Sequence, residues 1–127
     1  MKKFIVAIIA SSVVLTGCSS ADNSVDLNVS EFSAKSQEPG VISLDVRTAG
    51  EFAEGHLVNA ININVESGNF EAEIESLDKN ATYAVYCRSG RRSAVAVDLM
   101  KKAGFTNLYN LDGGVIDRSA SGLPLVK

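Results

Sequence analysis

The stretch from Tyr83 to Val97 restricts the fold more than any other part of the chain. Tyr83-Ala84-Val85-Tyr86 is short, apolar and β-prone, the pattern of a strand buried within a parallel sheet. Six loop residues follow, from Cys87 to Arg92. From Ser93 onward Ala, Val, Leu and Met favour a helix, with Lys101 and Lys102 in its last turn and Gly104 ending it. A cysteine at the carboxyl end of a strand, facing a helix N-terminus, sits where unpaired backbone N–H groups converge, and those donors favour an anion. The same field stabilises a thiolate, drawing a cysteine pKa from about 8.5 into the range of about 3.5 to 7.5. A strand cysteine is commonly just a small buried hydrophobe. Here, however, Arg88, Arg91 and Arg92 all fall within five positions of it, and Gly90 supplies freedom for a tightly wound loop. Cys87 therefore reads as a nucleophile beside an anion site.

The first residues are of a different kind. Lys2 and Lys3 form a basic n-region, and Phe4 to Leu15 form an apolar h-region too short for an ordinary transmembrane helix. Leu15-Thr16-Gly17-Cys18 resembles the lipobox of bacterial lipoproteins. That resemblance implies a signal peptide over residues 1–17, removed before a diacylated Cys18 whose new N-terminus is acylated. Such a lipid set gives stable anchoring where one chain is marginal. The competing reading is a cleaved secretory signal with an incidental cysteine. Residues 18–25 are small, polar and acidic and read as a lipidated tether, leaving 26–127 as the domain. Ser19 in place of aspartate resembles the outer-membrane sorting signal of Gram-negative lipoproteins. The expected product is an exported lipoprotein, its domain in the periplasm or on the outer face of the cell membrane. Cys87 is then the free thiol of the mature chain, in a compartment where disulfides persist. Loss of Lys2 and Lys3 leaves ten basic against fifteen acidic side chains, a balance of −5. An acidic body argues against nucleic acid as a partner and sets off the arginine cluster as a local positive site.

The remaining elements alternate. Asn28 to Gln37 is a short amphipathic helix with Val29 and Phe32 as apolar contacts, broken by Glu38-Pro39-Gly40. Val41 to Val46 is a buried strand with Asp45 and Arg47 at its carboxyl end. Thr48-Ala49-Gly50-Glu51 is a capping box opening a short helix that Gly55 closes. Ala60 to Ile63 is a short strand, Asn69 to Leu77 a helix with Phe70, Ile74 and Leu77 on one face, and Asn107 to Leu111 a last strand before the Gly113-Gly114 turn. Helices alternating with short apolar strands predict an α/β fold with an open, mostly parallel sheet covered on both faces. Ligands of such sheets sit beyond the carboxyl ends of the strands, where Cys87 and Asp45 both fall.

Taken together, these motifs resemble a single-domain rhodanese, the thiosulfate sulfurtransferase type, from about Val25 to Leu125. The matching residues are Leu44-Asp45-Val46-Arg47, Glu51-Phe52, Gly55-His56, Ala60-Ile61-Asn62, Cys87-Arg88-Ser89-Gly90-Arg91-Arg92-Ser93, Gly113-Gly114 and Gly122-Leu123-Pro124. A secreted single-domain form is also similar to the small periplasmic sulfurtransferases of the phage-shock type. The resemblance implies a five-stranded sheet and no cofactor. Two departures stand out. Asn59 occupies a position where the family often has glycine, and asparagine also tolerates the left-handed conformation. Arg118 stands where the family usually has tryptophan four residues after the second glycine, which takes away an aromatic wall near the site.

The implied reaction passes sulfane sulfur from thiosulfate, through a Cys87 persulfide, to cyanide or a thiol. Backbone N–H groups of the loop, including Ser89 and Gly90, cradle the persulfide charge. Arg88 and Arg91 grip the sulfonate-like end of the donor. Arg92 either joins them or turns inward to pair with a carboxylate such as Asp45. Ser93 hydrogen-bonds the sulfur or caps the helix, and Asp45 and Arg47 organise the loop. His56 reads as structural, at a turn before a strand, and no cluster of metal ligands is apparent. The main alternatives are a non-enzymatic sulfane-sulfur carrier or a protein-binding module on the same scaffold. Cysteine phosphatases and arsenate reductases place arginine six positions after the cysteine, where this chain has Ser93. A thiol–disulfide oxidoreductase lacks a resolving cysteine.

Overall fold

The computed structural model describes residues 24–127. The expected signal peptide, Cys18 and residues 19–23 of the expected tether lie outside the described residues. The element order is β1 (Ser24–Leu27), α1 (Val29–Ser36), β2 (Val41–Asp45), α2 (Ala49–Glu54), β3 (Ile61–Asn62), α3 (Phe70–Ile74), β4 (Thr82–Tyr86), α4 (Arg91–Lys102), β5 (Asn107–Leu111) and α5 (Gly114–Ala120). The five strands form one sheet in the order β1-β5-β4-β2-β3, and every pairing is parallel. From β2 the chain runs outward to β3, and from β4 it runs the other way to β5. The order therefore reverses between the carboxyl ends of β2 and β4, the place where such sheets bind ligands.

Alternation along β4 divides the core in two. Tyr83, Val85 and Cys87 pack with Leu44, Val46, Phe70, Ile74, Ala96 and Met100, the cluster under α3 and α4. Ala84 and Tyr86 face the opposite way and pack with Phe32, Leu57, Leu111 and Val115, the cluster under α1 and α5. Phe32 meets the Tyr86 ring edge-on at 6.3 Å between centroids. Asn28 caps α1 through a complete capping box with Glu31. Asn59 is left-handed, with φ of 60°, as its tolerance for that conformation allows.

Two elements differ from the sequence reading. β1 takes in Ser24 and Val25, assigned above to the tether; it lies at the sheet edge with Val25 exposed, so its apolar content is too small to mark it. The second is α5, a seven-residue helix where Gly113-Gly114 suggested only a turn. Both glycines are left-handed and carry the chain directly into that helix, against their low helix propensity.

A buried ion pair closes the carboxyl end of β2. Arg47 Nη2 lies 2.7 Å from Asp45 Oδ2 and Nε lies 3.0 Å from Oδ1, while the Arg47 backbone N–H donates to Oδ1 at 2.9 Å. Nη2 also donates to the Gly55 carbonyl at 2.6 Å, tying the end of α2 to the sheet. Asp45 and Arg47 thus hold α2 and its turn, and reach the cysteine loop only through that helix. Arg47→Leu leaves the Asp45 charge buried without its partner and should cost about 3–5 kcal/mol. Urea unfolding measures this, and a loss under about 1 kcal/mol, in the range of exposed pairs, would remove the pair from the account of stability.

Candidate active site

The chain leaves β4 at Tyr86 and enters α4 at Arg91, so the loop is shorter than the sequence suggested. Gly90, at φ of 95°, is the N-cap residue and turns the backbone straight into the helix. Arg91 and Arg92 consequently belong to the first helical turn. No side chain caps α4; the Cys87 sulfur serves in that place, accepting the Gly90 N–H at 3.0 Å. The Ser93 hydroxyl lies 3.4 Å from the sulfur and 3.2 Å from the Gly90 carbonyl. Of the two roles open to Ser93, contact with the sulfur is the one formed. Burial pushes the Cys87 thiol up, but the Ser93 hydroxyl and the backbone N–H groups of Ser93, Gly90 and Ser89 outweigh it and bring the pKa below its ordinary value. Cys87 has no exposed surface, so these donors stand where water would otherwise solvate a thiolate.

The loop is gripped from two sides. From α5, the Val115 and Ile116 N–H groups donate to the Cys87 and Arg88 carbonyls, each at 3.0 Å. Gly114 presses so closely on this segment that a Cβ there would overlap the Arg88 carbonyl. From α2, the Glu51 carboxylate receives Arg92 in a two-point pair, Nη1 to Oε1 and Nη2 to Oε2, both at 2.8 Å. Glu66 adds a longer contact to Nη1 at 3.4 Å. Arg92 is thus turned inward, and its carboxylate is Glu51 rather than Asp45, which is committed to Arg47. Hydrogen bonding from Arg92, opposed by some burial, holds the Glu51 carboxyl down at about 2. Thr48 caps α2 by accepting the Glu51 N–H at 3.2 Å, and the Glu51 carboxylate returns to the cap through the Thr48 hydroxyl, 3.2 Å from Oε1. Arg88 and Arg91 are exposed and make no ion pair within the described residues, which leaves both guanidinium groups open at the loop.

With this geometry, comparison with known proteins gives a consistent answer. The model of the Rhodanese-like domain family matches residues 28–117. The chain belongs to the rhodanese family. Its rhodanese domain is similar to a sulfurtransferase of Allochromatium vinosum, 31% identical over 86 residues, covering 68% of this chain and 78% of that protein. It is also similar to a tRNA uridine(34) hydroxylase of the Aster yellows witches'-broom phytoplasma, 34% identical over 99 residues and 75% of this chain. The match spans about a third of that hydroxylase's length, 32%. Among solved structures, a rhodanese-related protein from Thermoplasma volcanium superposes with a TM-score of 0.70 at 28% identity, covering 80% of this chain and 96% of that one.

Other expected residues of the rhodanese domain fall away from the sulfur. His56 stacks on Phe52 at 3.9 Å, its Nδ1 lies 2.9 Å from the Phe52 carbonyl, and its backbone bridges to Val126, so it is structural. Arg118 points toward the α1 side: Nη2 donates to the Pro124 carbonyl at 3.3 Å, and the side chain lines a cavity of about 130 Å³ with Ser36, Gln37, Ser43, Leu57 and Val58. The Arg118 side chain therefore occupies that face of the sheet. Among the described residues, no three His, Cys, Asp or Glu side chains group to hold a metal. The residues missed from sequence are Glu51 as the anchor of Arg92, Glu66, and Gly114 with α5 as the floor of the loop.

The Glu51 pair makes stability depend on acid. Its folded pKa of about 2 lies below the ordinary value of 4.5, so its contribution is complete above pH 4.5 and is lost as pH falls toward 2. With side chains 23% and 27% exposed, screening reduces that contribution to about 1 kcal/mol. Glu51→Gln should therefore be less stable than the parent at pH 7, with the gap closing between pH 4.5 and 2 in urea titrations. A gap that stays constant across this window would mean the pair contributes nothing.

Proposed function

We propose that this protein is a sulfurtransferase that takes sulfane sulfur from thiosulfate or a similar small anionic donor. The observation that carries this reading is the Cys87 sulfur seated 3.0 Å from the Gly90 N–H, in a loop bordered by the open guanidinium groups of Arg88 and Arg91. The thiolate attacks the outer sulfur of thiosulfate. The S–S bond of the donor breaks, sulfite leaves with the bonding pair, and a Cys87 persulfide remains. The N–H groups that hold the thiolate are placed to hold the negative outer sulfur that follows it. Cyanide or a thiolate then attacks that sulfur, carrying it away and returning Cys87 to its starting form.

The short loop supports sulfur over phosphate as the transferred group. In a phosphate-cradling loop an arginine must face the ligand, whereas Arg92 is neutralised by Glu51. In the same reading the domain hangs from the outer side of a bacterial membrane by the lipid on Cys18, and meets its donor and acceptor there.

Intact mass of residues 19–127, before and after thiosulfate, tests the reaction. The expected result is a gain of one sulfur atom, reversed by cyanide and missing in Cys87→Ser, whose urea midpoint stays close to the parent's. No gain, with turnover of an aryl phosphate or arsenate in its place, overturns the proposal. Persulfide that passes to a protein thiol but not to cyanide indicates a carrier. Arg88→Ala and Arg91→Ala should each raise the thiosulfate KM about tenfold, the loss of roughly one charge-assisted hydrogen bond, with melting temperature unchanged. If KM does not move in either variant, the donor's anionic end is held elsewhere.

A further inference from the structure

A groove of about 390 Å³ opens beside the cysteine loop, lined by Val65, Glu66, Arg91, Arg92 and Val95. It joins the first two turns of α4 to the segment that follows β3. Its floor is apolar: Val95 is 52% exposed on α4, and Val65 is partly buried against the core. An apolar residue left half-exposed beside a charged loop gives a thiosulfate ion nothing to bind. The groove is also several times larger than such an ion, and Glu66 repels one. Its features suit a different molecule.

The charges point to which. Arg92 is matched by Glu51, and Arg91, which meets the donor's anionic end in the first half-reaction, is open again once sulfite has left; the groove then offers one cation, Arg91, and one carboxylate, Glu66, 61% exposed and held by the 3.4 Å contact to Arg92. We propose that this groove is the acceptor subsite, and that it takes a zwitterionic thiol of dipeptide size. Its carboxylate lies on Arg91, its ammonium on Glu66, and its aliphatic part on Val65 and Val95. This rests on the sulfurtransferase reading and names its second substrate. The step is a displacement: the acceptor thiolate attacks the outer sulfur of the Cys87 persulfide, the new S–S bond forms as the old one breaks, and the electron pair returns to the Cys87 sulfur. The acceptor leaves as a persulfide, its thiol proton having gone to solvent, with no net oxidation.

The test compares three acceptors on the thiosulfate-loaded protein: cyanide, 2-mercaptoethanol and cysteinylglycine. Val95→Trp fills the groove from an exposed helix position that takes no part in holding the loop. In the parent, cysteinylglycine should have a KM at least about fivefold below that of 2-mercaptoethanol, as two exposed charge contacts allow. In Val95→Trp that preference should vanish while cyanide discharge keeps its rate. A parent with no preference, or a Val95→Trp variant that retains it, overturns the subsite while persulfide formation and cyanide discharge still stand. Absence of any persulfide by mass overturns the sulfurtransferase reading and this subsite with it.

Discussion

A thiolate sealed from water needs donors in place of the water, and the active end of this domain is built to supply them. The sulfur of Cys87 lies within the start of α4, so the backbone groups left unpaired by the helix become its solvent. That arrangement requires β4 and α4 to be joined in a few residues, and Gly90 makes so abrupt a junction possible. It also requires the loop not to relax outward. Helix α5 holds the Cys87 and Arg88 carbonyls from one side. Helix α2 holds Arg92 from the other, and α2 is in turn fixed to β2 by the Asp45–Arg47 pair through the Gly55 carbonyl. The supports run back into the sheet and carry no chemistry themselves.

The division of labour among the arginines follows from the same geometry. Four of the five arginines lie near the carboxyl ends of β2 and β4, yet two of these are consumed by structure. Arg47 is spent on Asp45 and Arg92 on Glu51, which leaves the exposed pair, Arg88 and Arg91, to present positive charge on an acidic body. The positive potential at the loop is thus local, set by these two side chains and not by the net charge of the molecule.

Much of this was legible in the sequence where the signals are local. The β4 strand, the cysteine loop, the helix after it and the buried β2 strand depend on residues next to one another, and each was placed within a few positions. The parts that escaped depend on distance. Glu51 is 41 positions from Arg92, and nothing near it distinguishes a carboxylate that closes a capping box from one that anchors a remote arginine. Helix α5 begins with two glycines, which read locally as a turn, and only its packing against the loop explains why a helix starts there. β1 has one buried apolar side chain, Leu27, and acquires its identity by pairing with β5.

The contact at Gly114 carries a consequence for how such a domain can change. There, main chain lies against main chain, and no side chain is present to be trimmed or rotated. An extra residue in the loop after β4 could be accommodated only if the start of α5 withdrew as well. The two segments are thus a matched pair: a drift in the length of one without the other meets a steric wall, and the dimensions of the chemical pocket are inherited jointly from parts of the chain that share no local sequence signal.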